Sequence, residues 1–303
     1  MALFATLARM WLTRSWQPFQ FHNEYDQVLP YDECKKMGLY VHIPFCRTLC
    51  DFCPYCKVPY ESERANRYVE NLLQEIRLVC TNHPKREVTS LYFGGGTPAL
   101  LYQRLEEIIQ ELRRYFVITE GIGVELHPSD VTIPVLQELR RAGVTKLSIG
   151  IQSFQKKYQT LLGRSSVDYS AISAALTKVP FETVSFDFIF ALPGQTISDL
   201  ICDVDLAFQL GANQVALYPF IDFSFTKSDV QAMKNPDKRK LLNEITAYLA
   251  KNGCTRTSIW TFSNEKEACY SSMTRENFLG FGCSATTLLN GQFKINTFSP
   301  EAY

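Results

Sequence analysis

The sequence predicts an α/β fold, a partial (β/α)6 TIM-like barrel, and three observations carry that expectation. Short β-branched or aromatic runs alternate with longer amphipathic segments, residues able to do chemistry collect just after those runs, and 303 residues, 46% of them hydrophobic, suffice for one large core. The runs are Leu39 to Ile43, Val88 to Phe93, Gly123 to Leu126, Lys146 to Ile149, Thr183 to Phe190, Asn213 to Tyr218 and Thr257 to Trp260. Helical patterns lie near Glu63 to Cys80, Pro98 to Arg114, Thr132 to Ala142, Asp168 to Val179, Thr196 to Leu210 and Pro236 to Asn252. Alternation at this spacing implies parallel βαβ units, and about six of them suit a curled barrel better than an open sheet.

The barrel is assigned to residues 37–290, after an N-terminal extension of 1–36. Met1 to Phe21 contains Arg9, Arg14 and hydroxyl residues but no acid, a composition shared by organelle transit peptides and by amphipathic helices. Leu3, Leu7, Met10 and Leu12 supply apolar positions and favour a helix packed on the domain.

Lysine plus arginine equals aspartate plus glutamate at 31 each, so no global field recruits nucleic acid or an acidic membrane surface. A small or neutral substrate is favoured. No run reaches the roughly 18 to 20 apolar residues of a membrane span. Four of the ten cysteines fall in one short loop, which argues for metal in a reducing compartment, the cytoplasm, over a disulfide scaffold. Cys80, Cys202 and Cys254 read as free thiols in helical or buried settings.

That loop is Cys46-Arg-Thr-Leu-Cys50-Asp-Phe-Cys53, directly after the first strand. Thiols at C-x3-C-x2-C spacing can hold three irons of a 4Fe-4S cluster and leave the fourth iron open to a small molecule. Zinc is the alternative, with Cys56 completing a tetrahedron. A disulfide is weaker still.

Other strand ends carry their own signals. Gly94-Gly95-Gly96-Thr97-Pro98 is a turn into a helix, where glycines let a ligand reach bare backbone or simply make a tight βα turn. Glu125 and Asp187 are acids in otherwise apolar strands, costly without a partner. An ammonium or ribose hydroxyls would serve, as would Arg164, itself a candidate for a carboxylate of substrate or cofactor. A structural Asp187–Arg164 salt bridge is the plainer reading. Gln152-Ser153 and Tyr218-Pro219 close the fourth and sixth strands, while His42 and His127 are assigned no role. In a (β/α) barrel these ends share the C-terminal mouth, where active sites are built.

Five motifs now carry a resemblance. Tyr40-Val-His-Ile-Pro-Phe-Cys46-x3-Cys50-x-Phe-Cys53, Gly94-Gly-Gly-Thr-Pro98, Ile151-Gln152-Ser153-Phe154, Asp187-Phe-Ile-Phe-Ala-Leu-Pro193-Gly-Gln195-Thr and Gly280-Phe-Gly-Cys-Ser-Ala285 resemble the radical S-adenosylmethionine (SAM) enzymes related to oxygen-independent coproporphyrinogen III oxidase. The match runs in order from about residue 39 to 290. It implies a 4Fe-4S cluster, one or two SAM molecules, a barrel of the radical SAM type and an electron donor such as flavodoxin or ferredoxin. Carried over by position, Cys46, Cys50 and Cys53 are the cluster ligands, and Tyr40, Gly95 and Glu125 hold the first SAM. Phe52, Gly96, Thr97, Gln152, Arg164 and Asp187 would line a second SAM or substrate site, with Ile221 and Thr286 as further wall positions.

Two departures matter. Bacterial coproporphyrinogen oxidases carry a cysteine two residues after the third ligand, where this chain has Tyr55 and places Cys56 one position later. Family members also continue into a C-terminal substrate-covering domain, of which residues 291–303 read as a truncated or minimal beginning. The leading expectation is reductive SAM cleavage to a 5'-deoxyadenosyl radical acting on a small organic or tetrapyrrole-like substrate, with radical methyl transfer or cyclopropanation using a second SAM. The alternatives are coproporphyrinogen III decarboxylation and a non-catalytic haem chaperone.

Overall fold

The computed structural model describes residues 29–34, 36–165, 167–223, 226, 228–265 and 277–303. The segment Met1 to Phe21, read above as helix or transit peptide, lies outside them. Six strands form the expected run: β1 (Gly38–Ile43), β2 (Leu91–Gly95), β3 (Ile122–Leu126), β4 (Lys146–Gln152), β5 (Thr183–Phe190) and β6 (Gln214–Pro219). Each pairs in parallel with the next in chain order. The helices are α1 (Ser62–Cys80), α2 (Tyr102–Tyr115), α3 (Ile133–Arg141), α4 (Lys156–Leu161), α5 (Tyr169–Lys178), α6 (Ile197–Gln209) and α7 (Asn235–Lys251). The short α4 had no clear sequence signal.

A further strand, β7 (Phe278–Phe281), pairs in parallel with the free side of β1. Antiparallel pieces extend the sheet at both ends: Thr261–Ser263 and Thr255–Arg256 beyond β6, and Thr286–Leu289 and Gln292–Ile295 beyond β7. Among the described residues the outermost pieces do not pair with each other, so the sheet, of eleven strands there, stays open as a partial barrel.

Two strand assignments need correction. Thr257 to Trp260 is the turn between two antiparallel pieces, closed by Thr257 N–H donating to Thr261 O at 2.9 Å. Ser258 Oγ accepts from Trp260 N–H at 3.3 Å, a local bond that competes with ladder pairing. The run Val88 to Phe93 is divided: Arg86–Val88 pairs with Phe116–Ile118 in a separate small sheet, and the barrel strand starts at Leu91. Cys202, expected in a helical or buried setting, is on α6 but exposed.

The core lies between strands and helices. β1 buries Leu39, Val41 and Ile43, and α1 answers with Tyr68, Val69, Leu72, Leu73 and Ile76 at helical spacing. Full burial of a side chain such as Leu72 contributes about 1.5–3 kcal/mol. α6 starts with a reciprocal cap, Thr196 Oγ1 accepting from Asp199 N–H at 3.3 Å and Asp199 Oδ2 accepting from Thr196 N–H at 2.9 Å. That cap gives the Gly194-Gln195-Thr196 segment a structural reason.

The chain before and after the parallel strands packs back on them. Arg86 donates to the carbonyls of Tyr31 and Cys34. On the other side, Asn296 donates to Glu75 of α1 at 2.7 Å, Glu75 also accepts from the Tyr303 hydroxyl, and Arg64 pairs with Glu301. Among the described residues no helix is long and apolar enough to cross a membrane.

Candidate active site

The C-terminal ends of the parallel strands bring the polar residues of the sequence motifs to one mouth. The cysteine loop leaves β1 and returns to it. Phe45–Cys46 pairs in parallel with Val58–Pro59, with Val58 N–H donating to Pro44 O at 2.7 Å and Tyr60 N–H to Cys46 O at 2.9 Å. Inside this neck, Cys53 N–H donates to Cys50 O at 3.3 Å and Lys57 Nζ to Cys53 O at 2.5 Å. Arg47 fastens the loop to the end of β3 through Asp130, at 3.1 Å.

Cys46, Cys50 and Cys53 are free, half-buried thiols. Burial pushes Cys46 up to about 11, the hydrogen bond from Thr97 Oγ1 at 3.8 Å opposes this, and Cys53 and Cys50 add to the rise. Cys46 and Cys50, both raised by burial, favour their protonated forms until a cation compensates the charge. The three loop sulfurs do not gather within 4.8 Å as ligands of one ion. A cluster, with each thiolate on its own iron, accommodates that wider set.

Glu125 is the hub of the first group of residues. Tyr92 donates to its Oε1 at 2.8 Å and Gly95 N–H to its Oε2 at 3.1 Å. Burial raises its carboxyl above the ordinary range despite these bonds. A Cβ on Gly94 would meet Glu125 Oε1 at 2.9 Å and the Tyr40 ring at 3.1 Å, so Tyr40, Glu125 and the glycine turn are assembled together. Gly95 adopts φ +116°, open to glycine alone, and a Cβ there would strike the His42 ring at 2.5 Å. Gly96 faces the other way: its Cβ would meet the Phe45 carbonyl oxygen at 2.6 Å, which makes it a packing glycine against the chain after β1.

The second group gathers round Arg164. Its Nε is buried without a hydrogen-bond partner, and its guanidinium lies 5.8 Å from the centre of the Phe52 ring. Arg164 is close enough to Cys50 to favour its thiolate, although burial dominates and raises that thiol. Gln152 ends β4 at φ 70°, an uncommon left-handed conformation beside a bulge, and its amide approaches Gly150. Asp187 makes no ion pair with Arg164. Instead it accepts from Ser148 Oγ and, at 3.1 Å, from Ser185 Oγ, and burial pushes it up to about 7.

Ile221 follows β6 and is exposed, while Thr286 is half-buried opposite β7, with its carbonyl against Gly280. Neither contacts the two groups above through any described bond. His127 accepts from Ser129 N–H at 3.2 Å, and burial, with Arg164 and Arg47 nearby, holds its imidazole down at about 4, hence neutral.

The sequence reading missed several supporting residues. Tyr92, Ser148 and Ser185 each stand two residues from a flagged position or its neighbour, the period of a strand, so alternation was the available signal. Asp203 of α6 had none. It accepts from Ser153 Oγ at 2.7 Å and Phe154 N–H at 3.0 Å, which fixes the turn after Gln152.

Comparison with known proteins follows the same residues. The profile described as the radical SAM superfamily matches residues 40–207, more than half the chain. This chain belongs to the radical SAM superfamily. It is 28% identical to a haem chaperone, HemW, of Lactococcus lactis over 272 residues, covering 85% of this chain and 71% of that protein. It is 30% identical to the oxygen-independent coproporphyrinogen III oxidase of Escherichia coli over 232 residues, 72% of this chain but only 50% of that one. The solved structure of that oxidase superposes with a TM-score of 0.77 at 25% identity, covering 88% of this chain and 68% of its own. Within the superfamily the chain is therefore of the coproporphyrinogen oxidase-like type.

Membership brings a 4Fe-4S cluster and SAM as cofactors. The residues present fit both. Three free thiols share a loop with a closed neck, a glycine turn opens onto an anchored carboxylate, and an orphaned guanidinium nitrogen stands beside Cys50 and Phe52.

Proposed function

We propose that this chain cleaves SAM reductively to act on a small organic or tetrapyrrole-like substrate. The observation that carries the reading is Arg164. A buried guanidinium nitrogen without a partner, next to the cluster loop, calls for a carboxylate from outside the chain. When bound, the cluster and SAM supply one electron and a 5'-deoxyadenosyl radical that abstracts hydrogen.

The chain's own residues do the holding. Cys46, Cys50 and Cys53 ligate the cluster. Tyr40, the Gly95 backbone and Glu125 receive one SAM, Glu125 being held in place by Tyr92 and the Gly95 amide. Arg164, Phe52, Gln152, Thr97 and Asp187 take a second SAM or a carboxylate-bearing substrate, with Gly96 supporting the turn and Ile221 and Thr286 as outer wall positions. Asp187, shielded by two serine hydroxyls, is poised to exchange a proton near neutral pH. Residues 37–290 make up the catalytic barrel and the cysteine usage suits the cytoplasm.

Radical methyl transfer or cyclopropanation requires the Arg164 group to hold a second SAM, whereas decarboxylation of a porphyrinogen requires it to hold a propionate. A second reading, haem trafficking without turnover, is favoured by the haem chaperone relative, 71% of whose length is matched, against 50%, 65% and 66% for three of the oxidases.

One anaerobic experiment separates these readings. The chain is reconstituted with iron and sulfide, then given dithionite, SAM and coproporphyrinogen III. Release of 5'-deoxyadenosine supports the enzyme; accompanying S-adenosylhomocysteine points to methyl transfer, and loss of carbon dioxide from the porphyrinogen points to decarboxylation. Neither nucleoside product, together with stoichiometric haem binding, overturns catalysis in favour of the chaperone.

A further inference from the structure

A second set of soft donors converges behind the cluster loop. His42 on β1, Cys56 near the return of the loop and Cys283 just after β7 bring one ring nitrogen and two sulfurs within 4.8 Å of one another. Among the described residues no other three histidine, cysteine or acidic side chains meet so closely. The three come from separate parts of the chain and meet because β7 docks against β1 while the cysteine loop folds back to it.

The setting is built. Cys283 is 0% and His42 3% exposed, and Cys56 is half-buried. The His42 ring is oriented from both nitrogens, Nδ1 against the Tyr40 hydroxyl and Nε2 against the Cys56 carbonyl, each at 3.0 Å. The Cys56 thiol rests on the Phe298 carbonyl at 3.2 Å, and Cys283 N–H donates to the Tyr68 hydroxyl at 2.9 Å. None of these three side chains is needed by the cluster, whose ligands are the other thiols of the loop.

We propose that His42, Cys56 and Cys283 form a binding site for one thiophilic divalent cation, zinc in the first instance, separate from the cluster. Two thiolates and an imidazole are a borderline-soft set that selects zinc over magnesium or calcium. A tetrahedral zinc ion holds two sulfur ligands about 3.8 Å apart, compatible with donor atoms that all lie within 4.8 Å of one another. Charge favours it as well: each thiol gives up its proton to solvent, two zinc–sulfur bonds form, and two thiolates cancel the ion's double charge, so the buried site is neutral. One histidine nitrogen binds the ion while the other keeps its hydrogen bond, which fixes the ring. A water or a neighbouring hydroxyl would complete the four ligands. Such an ion ties the end of the cluster loop to the two strands that flank it.

The test uses the whole chain purified under reductant without added iron or sulfide, with Co2+ as an optical probe. Titration of the Cys50→Ala chain, whose cluster loop has lost a ligand, should give thiolate charge-transfer and tetrahedral ligand-field bands that Zn2+ displaces. Cys56→Ser and Cys283→Ser should abolish them. Because Cys283 is fully buried, a readout without a variant accompanies these. At free zinc ten times its dissociation constant, alkylation of Cys56 in the unsubstituted chain should slow about tenfold, since only metal-free protein reacts, while exposed Cys202 is unaffected. The proposal is overturned by bands that vanish in Cys50→Ala, by bands that persist in Cys56→Ser, by Cys56 alkylation indifferent to zinc, or by a Cys56–Cys283 disulfide in the reduced preparation.

Discussion

Tyr92 donates its hydroxyl hydrogen to Glu125 Oε1 at 2.8 Å, across adjacent parallel strands, while the Gly95 amide takes the other carboxylate oxygen. The pair aims a carboxylate at the glycine turn before any ligand arrives, and burial has already raised its proton affinity. Removing the tyrosine hydroxyl leaves Glu125 with one fewer donor but keeps the ring. Tyr92→Phe is expected to weaken SAM binding to the reconstituted protein by about tenfold, the worth of one hydrogen bond to a charged group, with a smaller effect on thermal stability. Equilibrium dialysis with labelled SAM checks this, and unchanged affinity would remove Glu125 from the first SAM site.

Cys50→Ala should abolish the iron–sulfur absorbance of the reconstituted chain. Cys202→Ala, at an exposed thiol, should leave it intact. Iron and acid-labile sulfide assays accompany the spectrum. A full complement of cluster in Cys50→Ala would refute the ligand assignment.

The raised proton affinity of Asp187 makes cofactor-free stability depend on pH. Folding favours its protonated form, so this contribution is complete below the usual value of 3.8 and is lost as pH rises through about 7. Across that window one proton changes stability by up to about 1.4 kcal/mol per pH unit. Thermal unfolding should show Asp187→Asn losing less stability than wild type between pH 5 and 8. Parallel pH profiles for the two proteins would contradict the assignment.

Gly96→Ala tests packing against ligand access. Its new methyl meets the Phe45 carbonyl at 2.6 Å, a backbone atom that cannot swing aside. A loss of about 1–3 kcal/mol is expected, read as a lower unfolding temperature without cofactor. Unchanged stability with weaker SAM binding would return Gly96 to the binding surface.

Much of this was legible because local pattern and long-range role coincide. Thr183 to Phe190 alternates strand-forming residues and forms β5 with the same limits. The cysteine spacing and the costly acids Glu125 and Asp187 mark the mouth without a structure. What escaped depends on pairing between strands far apart in the chain. Phe278 to Phe281 overlaps the Gly280 motif and has no strand assignment from sequence, yet pairing with β1 makes it β7 and carries Cys283 to His42. The partners of Asp187 are serines, too common to single out, and Thr257 to Trp260 has strand-like composition that side-chain bonding turns into a bend. Arg164 was expected to face either Asp187 or a ligand, and only coordinates exclude the first.

The short pairing of Phe45–Cys46 with Val58–Pro59 closes the cysteine loop apart from the barrel ladders. β1 keeps its ladders to β2 and β7 whether or not the cysteines are loaded, because the loop departs and rejoins beyond them. The barrel ladders are thus expected to form without iron or sulfide. Loss of the cluster would then leave a folded apoprotein open to reassembly, and retained secondary structure in the iron-free chain is the measurement that checks it.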